Sequence, residues 1–266
     1  MDLQLGGKCA LVTGGSKGIG GAIARQLALE GMDVVIAARN ADELAAAAHA
    51  LATETGRKII GVRVDTRDDH SVKALVAETI HSLGGVDVLV NAAAKPGGQA
   101  PPPKLADITN DLFWEDVDTK VLGYLRMARE VAPHMAEAGW GRIINVSGLA
   151  ARQTGSIIGS IRNVAVAALT KNLADELGPK GINVTVVHPG LTRTERTESI
   201  LNASAASSGT TPQDVERRFS ADVSIGRLVD ASEVADIVAF LASPRSVAIN
   251  GDAIACGGGA KVSIHY

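Results

Sequence analysis

Short apolar runs alternate with longer amphipathic stretches along most of this chain, and few folds accept that rhythm. Cys9–Thr13 and the stretches 34–38, 59–64, 86–91, 143–147 and 182–188 each read as a strand. Stretches 21–31, 42–55, 71–83 and 160–177 carry helical patterns, and 107–135 carries two. Strands that alternate with helices build βαβ units, and hence a parallel sheet with helices on both faces. Largely apolar strands such as 182–187 suit a sheet covered on both sides. The punctuation agrees. Gly178-Pro179 and Gly181 stop the long helix before the next strand. Thr211 followed by Pro212 and Asp214 starts another helix, and Asp230 with Glu233 has the capping-box spacing.

Neither a repeat nor a linker divides the 266 residues, so one domain over 1–266 is expected. Two segments break the rhythm. Residues 94–103 are rich in Pro and Gly, and 201–211 are rich in Ser, Ala and Thr. Both follow strands on the side where open α/β sheets bind ligands, so each reads as a lid or a mobile surface loop. The substrate loops are accordingly expected at about 94–107 and 193–223.

Composition narrows the function classes. Apolar residues make up 46% and charged residues 21%, which excludes disorder along the whole chain. A net charge of −3 has nothing of a nucleic-acid footprint. Cys9 and Cys256 are too few for a disulfide scaffold and lack metal-site spacing, which fits a reducing cytoplasmic setting. The first residues, Met1-Asp2-Leu3-Gln4-Leu5, do not read as a signal peptide, and no apolar run reaches the ~18 residues of a membrane span.

The chemistry begins at Thr13-Gly14-Gly15-Ser16-Lys17-Gly18-Ile19-Gly20, between the first strand and the first helix. Gly14 permits the tight turn, Gly18 a close approach of backbone to pyrophosphate, and Gly20 close packing of helix on sheet. A glycine-rich turn alone is weak evidence, but a strand before it and a helix after it make it specific. The second strand ends Ile36-Ala37-Ala38-Arg39-Asn40, without the acid that reads the ribose in NAD sites. Arg39 and Lys17 are placed to reach a 2′-phosphate, which favours NADP(H).

These motifs, taken with Asp65, Asn91-Ala92-Ala93-Ala94, Asn145-Val146-Ser147, Pro189-Gly190 and Gly257-Gly258, resemble the short-chain dehydrogenase/reductase family over nearly the whole length. The resemblance implies a Rossmann-type, doubly wound α/β fold. It also implies hydride transfer between a nicotinamide and a small carbonyl or alcohol. Candidate cofactor contacts are then Gly14, Ser16, Lys17, Gly18, Ile19, Gly20 and Arg39; Asp65 at the adenine, with Thr66; Asn91, Ala92 and Ala93; and Pro189, Gly190, Thr192 and Thr194 at the nicotinamide end. No metal is implied. The long helices of this family pair in a four-helix interface, so a homodimer or homotetramer is expected. Small residues such as Ala165, Ala167 and Ala168 leave the 160–177 helix apolar nearly all round, which agrees.

The catalytic pattern departs from the family. Ser147 stands at the serine position, but Gly159-Ser160-Ile161-Arg162-Asn163 replaces Tyr-x-x-x-Lys, and no tyrosine lies between Ser147 and Tyr266. Lys120 stands where an asparagine is usual. Glycine carries no proton, and a general acid–base group is worth ~10²–10⁴-fold. Lys120 is the candidate substitute, because burial lowers the pKa of an amine; Ser147 and Asn163 complete the catalytic set. Tyr124, one turn after Lys120, reads as core, Arg162 as a surface arginine and His188 as structural. The expected activity is an NADP(H)-dependent oxidoreductase. The alternatives are a catalytically silent NADP-binding subunit and a non-redox lyase on the same fold.

Overall fold

The computed structural model describes residues 1–95 and 102–261. Part of the expected 94–107 loop, and Tyr266, lie outside the described residues. Seven strands form one sheet: β1 (Cys9–Thr13), β2 (Asp33–Ala38), β3 (Ile59–Arg63), β4 (Val88–Asn91), β5 (Gly141–Val146), β6 (Ile182–Pro189) and β9 (Ala253–Cys256). Their order is β3-β2-β1-β4-β5-β6-β9, and each neighbouring pair is parallel. β7 (Thr192–Arg193) and β8 (Val229–Asp230) pair separately.

Between the strands run α1 (Gly18–Leu29), α2 (Ala41–Thr55), α3 (Asp69–Leu83), α4 (Asn110–Val117), α5 (Gly123–Ala138), α6 (Ile157–Leu177), α7 (Thr197–Ser208), α8 (Pro212–Ala221) and α9 (Ala231–Ala242). Side-chain caps set several starts. Asn40 accepts from the Asp42 and Glu43 N–H groups, Asp68 from His70, and Thr211 from Asp214. Glu233 accepts from the Asp230 N–H at 2.8 Å, as the capping-box spacing predicts.

The sheet is buried on both faces. On one side Ile23, Leu27, Val234 and Val238 of α1 and α9 pack on Val12, Val34 and Val90. On the other, Leu75, Met127, Val131 and Ala174 of α3, α5 and α6 pack on Leu11, Leu89 and Ile143. The order in which strands are added across the sheet reverses between β1 and β4, where the register sets Thr13 against Asn91 and Asn91 against Asn145. The C-terminal ends of the central strands are therefore level, and a crevice opens above them.

Three sequence expectations are corrected. Segment 201–211 is no loop, because α7 runs to Ser208; Leu201 and Ala205, one turn apart, bury against Val215 of α8, with Phe219 packed alongside. The supposed 193–223 substrate loop is thus mostly two packed helices. The helix expected from 160 begins at Ile157, because the Ser156 hydroxyl caps it by accepting from the Gly159 N–H. The last strand, β9, had no expectation: it is short and, among the described residues, pairs with β6 alone, so its signal is tertiary. Among the described residues no helix is long and apolar enough to cross a membrane.

Candidate active site

A cleft of about 820 Å³ lies over the C-terminal ends of β1, β2, β4, β5 and β6. The candidate cofactor and catalytic residues named from the sequence all line it except Asn91. Asn91 is fully buried below, where its Nδ2 donates to Asn145 Oδ1 at 3.0 Å. Asn145 in turn donates to Thr170 Oγ1 at 2.9 Å, so the floor of the cleft is a buried polar ladder between β4, β5 and α6.

At one end the wall is mostly backbone. Gly14 has φ +68°, and a Cβ there would lie 2.8 Å from the Ala92 carbonyl oxygen. A side chain on Gly20 would land on the Gly14 carbonyl oxygen. The turn therefore accepts only glycine at these points, and it leaves the first N–H groups of α1 facing the cleft. Thr13 Oγ1 accepts from the Ala92 and Ala93 N–H groups at 3.2 and 3.3 Å and ties the β1 and β4 ends together. The Glu195 carboxylate accepts from the Gly18 N–H at 3.2 Å, so this position already holds an anionic group.

Lys17 and Arg39 are both at the rim, but Lys17 pairs with Glu43 at 2.6 Å. The sequence reading passed over Glu43 because it looked for an acid at the strand end and not in the first turn of α2. Asp65 is held by Arg67, whose hydrogen bonds keep its carboxyl below the ordinary carboxylate range.

At the other end the wall is made of side chains from three helical segments. Between α4 and α5 the helix widens into one π-helical stretch, Asp118–Leu122, and Lys120 lies inside it. Such a bulge re-aims a side chain without breaking the helix. It is fastened from outside: Arg126 donates to Asp118 Oδ1 at 2.8 Å and to the Thr66 carbonyl at 3.2 Å. Gly123, the first residue of α5, sits so close to Thr66 that an added Cβ would be 3.0 Å from its Oγ1.

Lys120 is only 4% exposed. Its Nζ donates to the Ser147 carbonyl at 3.0 Å and to Asn163 Oδ1 at 3.2 Å. The Ser147 hydroxyl donates to the Asn163 carbonyl at 3.2 Å, so the three candidate residues form one cluster. Burial, the larger cause, and Arg162 bring the Lys120 amine down to about 7, against a smaller opposing effect of Asp116.

Tyr124 is core, as its position suggested: its hydroxyl donates to the Val146 carbonyl at 2.9 Å. His188 Nδ1 accepts from the Gly148 N–H at 3.4 Å. Arg162 corrects the sequence reading. It is no surface arginine but lies 16% exposed in the cleft wall, paired with Asp116 of α4 at 2.5 Å. Helix periodicity could not find this, because the partner sits on another element.

Residues 14–261 match the family profile described as enoyl-(acyl carrier protein) reductase. The chain is 37% identical over 257 residues to the protein assigned as ketoacyl reductase of the monensin polyketide synthase of Streptomyces virginiae, covering 94% of this chain and 96% of that one. It is 30% identical to the 3-oxoacyl-acyl-carrier-protein reductase of Aquifex aeolicus, over 97% and 99% of the two chains. The chain belongs to the short-chain dehydrogenase/reductase family.

Among solved members of that family, the L-sorbose reductase of Gluconobacter frateurii, crystallised with NADPH and L-sorbose, superposes with a TM-score of 0.93. It is 28% identical, over 99% of this chain and 100% of that one. The doubly wound sheet and its crevice are therefore those of a short-chain dehydrogenase/reductase.

Proposed function

We propose that this chain is an NADP(H)-dependent oxidoreductase acting on a small carbonyl or alcohol, with Ser147, Lys120 and Asn163 handling the proton. One observation carries the reading: the cleft ends on a buried amine held by Ser147 and Asn163. The nucleotide end fits a dinucleotide, because the Gly14 and Gly20 contacts exclude side chains and the Gly18 N–H already donates to a carboxylate. Gly14, Gly18 and Gly20 would hold the pyrophosphate, Lys17 and Arg39 a 2′-phosphate, and Pro189, Gly190, Thr192 and Thr194 the nicotinamide end. The reductase solved with NADPH supports this choice of cofactor.

Bound NADP(H) supplies or accepts a hydride, and the chain must manage the accompanying proton. In the family pattern the tyrosine position falls on Gly159 and the lysine position on Asn163, so that proton needs another carrier. Neutral Lys120 has two N–H groups, and two carbonyl oxygens take them. Its lone pair is then left to accept a proton from an alcohol. Protonated Lys120 has a third N–H to give to a forming alkoxide. With its pKa near 7, both forms are populated at neutral pH, where an acid–base catalyst works best. Ser147, in the same wall, adds a hydroxyl for the substrate oxygen.

NADPH consumption with a panel of carbonyl compounds tests the proposal. Turnover is expected in the wild type, with a loss of ~10²–10⁴-fold in Lys120→Ala. A wild type that binds NADPH and never oxidises it overturns the reading in favour of a silent binding subunit, the alternative that the missing tyrosine supports. The reading includes a single domain over 1–266, working in the cytoplasm as a homodimer or homotetramer. The exposed Leu112, Trp114, Leu125, Ile157, Ile161 and Val164 of α4, α5 and α6 support the assembly. A stable monomer in gel filtration would remove that part.

A further inference from the structure

The Lys120 cluster raises a question that its own hydrogen bonds do not answer. Asn163 is an uncharged amide and cannot tune a neighbouring amine as a cation does. A cation, Arg162, lies one residue away on α6 and acts on Lys120. Arg162 Nε donates to Asn163 Oδ1 at 3.4 Å, the oxygen that also accepts from Lys120 Nζ. Its Nη1 donates to Asp116 Oδ1 at 2.5 Å, across from α6 to α4. Both partners of this pair are largely shielded, at 16% and 17% exposure, so solvent screens their charges only in part.

We infer that Arg162 and Asp116 are positioning residues for Lys120: the guanidinium disfavours a second positive charge beside it, and the carboxylate limits that effect. The inference rests on the reading of Lys120 as the proton carrier. It restores an electrostatic relation familiar in acid–base sites, in which a fixed cation biases a neighbouring titratable group. Here the cation comes from α6, the proton carrier from the π-helical stretch, and the counter-charge from α4.

Two charged groups act on Lys120 from the elements packed around it. Arg162 does so from α6 and Asp116 from α4. Tyr124 follows on the same helix, but burial pushes its phenol above its ordinary value, out of the neutral range. Ser147 and Asn163 are uncharged, and His188 lies behind Gly148, bonded to its N–H. Asp116 and Arg162 are thus the pair with opposite expected signs.

The test is a pH titration of the Lys120 Cε methylene signals by ¹H–¹³C NMR, on full-length protein labelled with ¹³C-lysine. No nucleotide or substrate is added, and the signal is assigned by its loss in Lys120→Met. Arg162→Gln is expected to raise the midpoint by about one unit, Asp116→Asn to lower it by about one unit, and Arg162→Lys to keep it near wild type. The signs decide the matter. If the pair only braced α4 against α6, either loss would admit water and move Lys120 upward in both variants. An upward or null shift in Asp116→Asn overturns the inference.

The pH profile of NADPH oxidation, measured on the same variants, separates the two claims. Midpoints that move apart without any turnover keep the tuning pair and sink the functional reading. Turnover that depends on Lys120 with midpoints that stay together sinks the tuning pair alone.

Discussion

The two ends of the cleft are built on different principles. The Gly14–Gly20 end is backbone: its shape follows from glycine turns, and its charge from peptide N–H groups at the start of α1. The Lys120 end is side chain: an amine, an amide, a hydroxyl and an ion pair drawn from α4, the π-helical stretch, β5 and α6. A backbone site can be rebuilt from any sequence that makes the turn. A side-chain site changes its chemistry when single residues change.

The sharpest break between the ends comes from Lys120→Met. NADP(H)-dependent turnover is expected to fall ~10²–10⁴-fold while the NADPH Kd stays within a few-fold, measured by steady-state kinetics and calorimetry. Comparable losses in both quantities would mean that the ends are not separable. The converse change is Gly14→Ala. Its added carbon would lie 2.8 Å from the Ala92 carbonyl oxygen at a φ of +68°, a strain of about 1–3 kcal/mol. NADPH binding is expected to weaken roughly ten- to hundred-fold, with the Lys120 titration unmoved.

The pH behaviour belongs to the side-chain end alone. With Lys120 as the proposed proton carrier, carbonyl reduction is expected to fall as pH rises through about 7 and alcohol oxidation to rise over the same range. Stability follows the same group. Folded Lys120 titrates at about 7 and an unfolded lysine near 10.5, so the unfolded chain binds the extra proton between those values. The wild type therefore gains stability from pH 7 to 10.5 relative to Lys120→Met, and thermal melts of the two across that window read it.

Smaller effects sharpen the picture. A Cβ on Gly159 would lie 2.7 Å from Ser156 Oγ, the group that caps α6. Gly159→Tyr is expected to displace that cap, at a cost of about 1 kcal/mol in a denaturant melt. It is not expected to restore activity to Lys120→Met, since Asn163 and not lysine lies one turn on. The smallest effect expected is at Glu195, whose carboxylate occupies the Gly18 N–H. Glu195→Gln is expected to tighten NADPH binding about two- to five-fold, because a charge at a helix N-terminus is worth about 0.3–1 kcal/mol.

Much of this was legible in the chain because its causes are local. The alternation of strand and helix periods set the element order, and the spacing of Gly14, Gly18 and Gly20 marked the nucleotide end. The cleft then gathered almost all the residues picked out from the sequence. Segment 201–211 was misread because its Ser- and Thr-rich composition outweighed the i, i+4 pair of Leu201 and Ala205. Glu43 was missed because it reaches Lys17 from the next helix.

By itself the sequence determined the parallel α/β sheet, the glycine turn at its switch point and the absence of a tyrosine between Ser147 and Tyr266. Periodicity and glycine's conformational range act within a few residues, so they can be read without a fold. Only the tertiary structure decided that Lys120 is buried beside Ser147 and Asn163, and that Arg162 is paired with Asp116. Burial and charge pairing are sums over elements far apart in the chain, and the proton affinity of one amine depends on all of them.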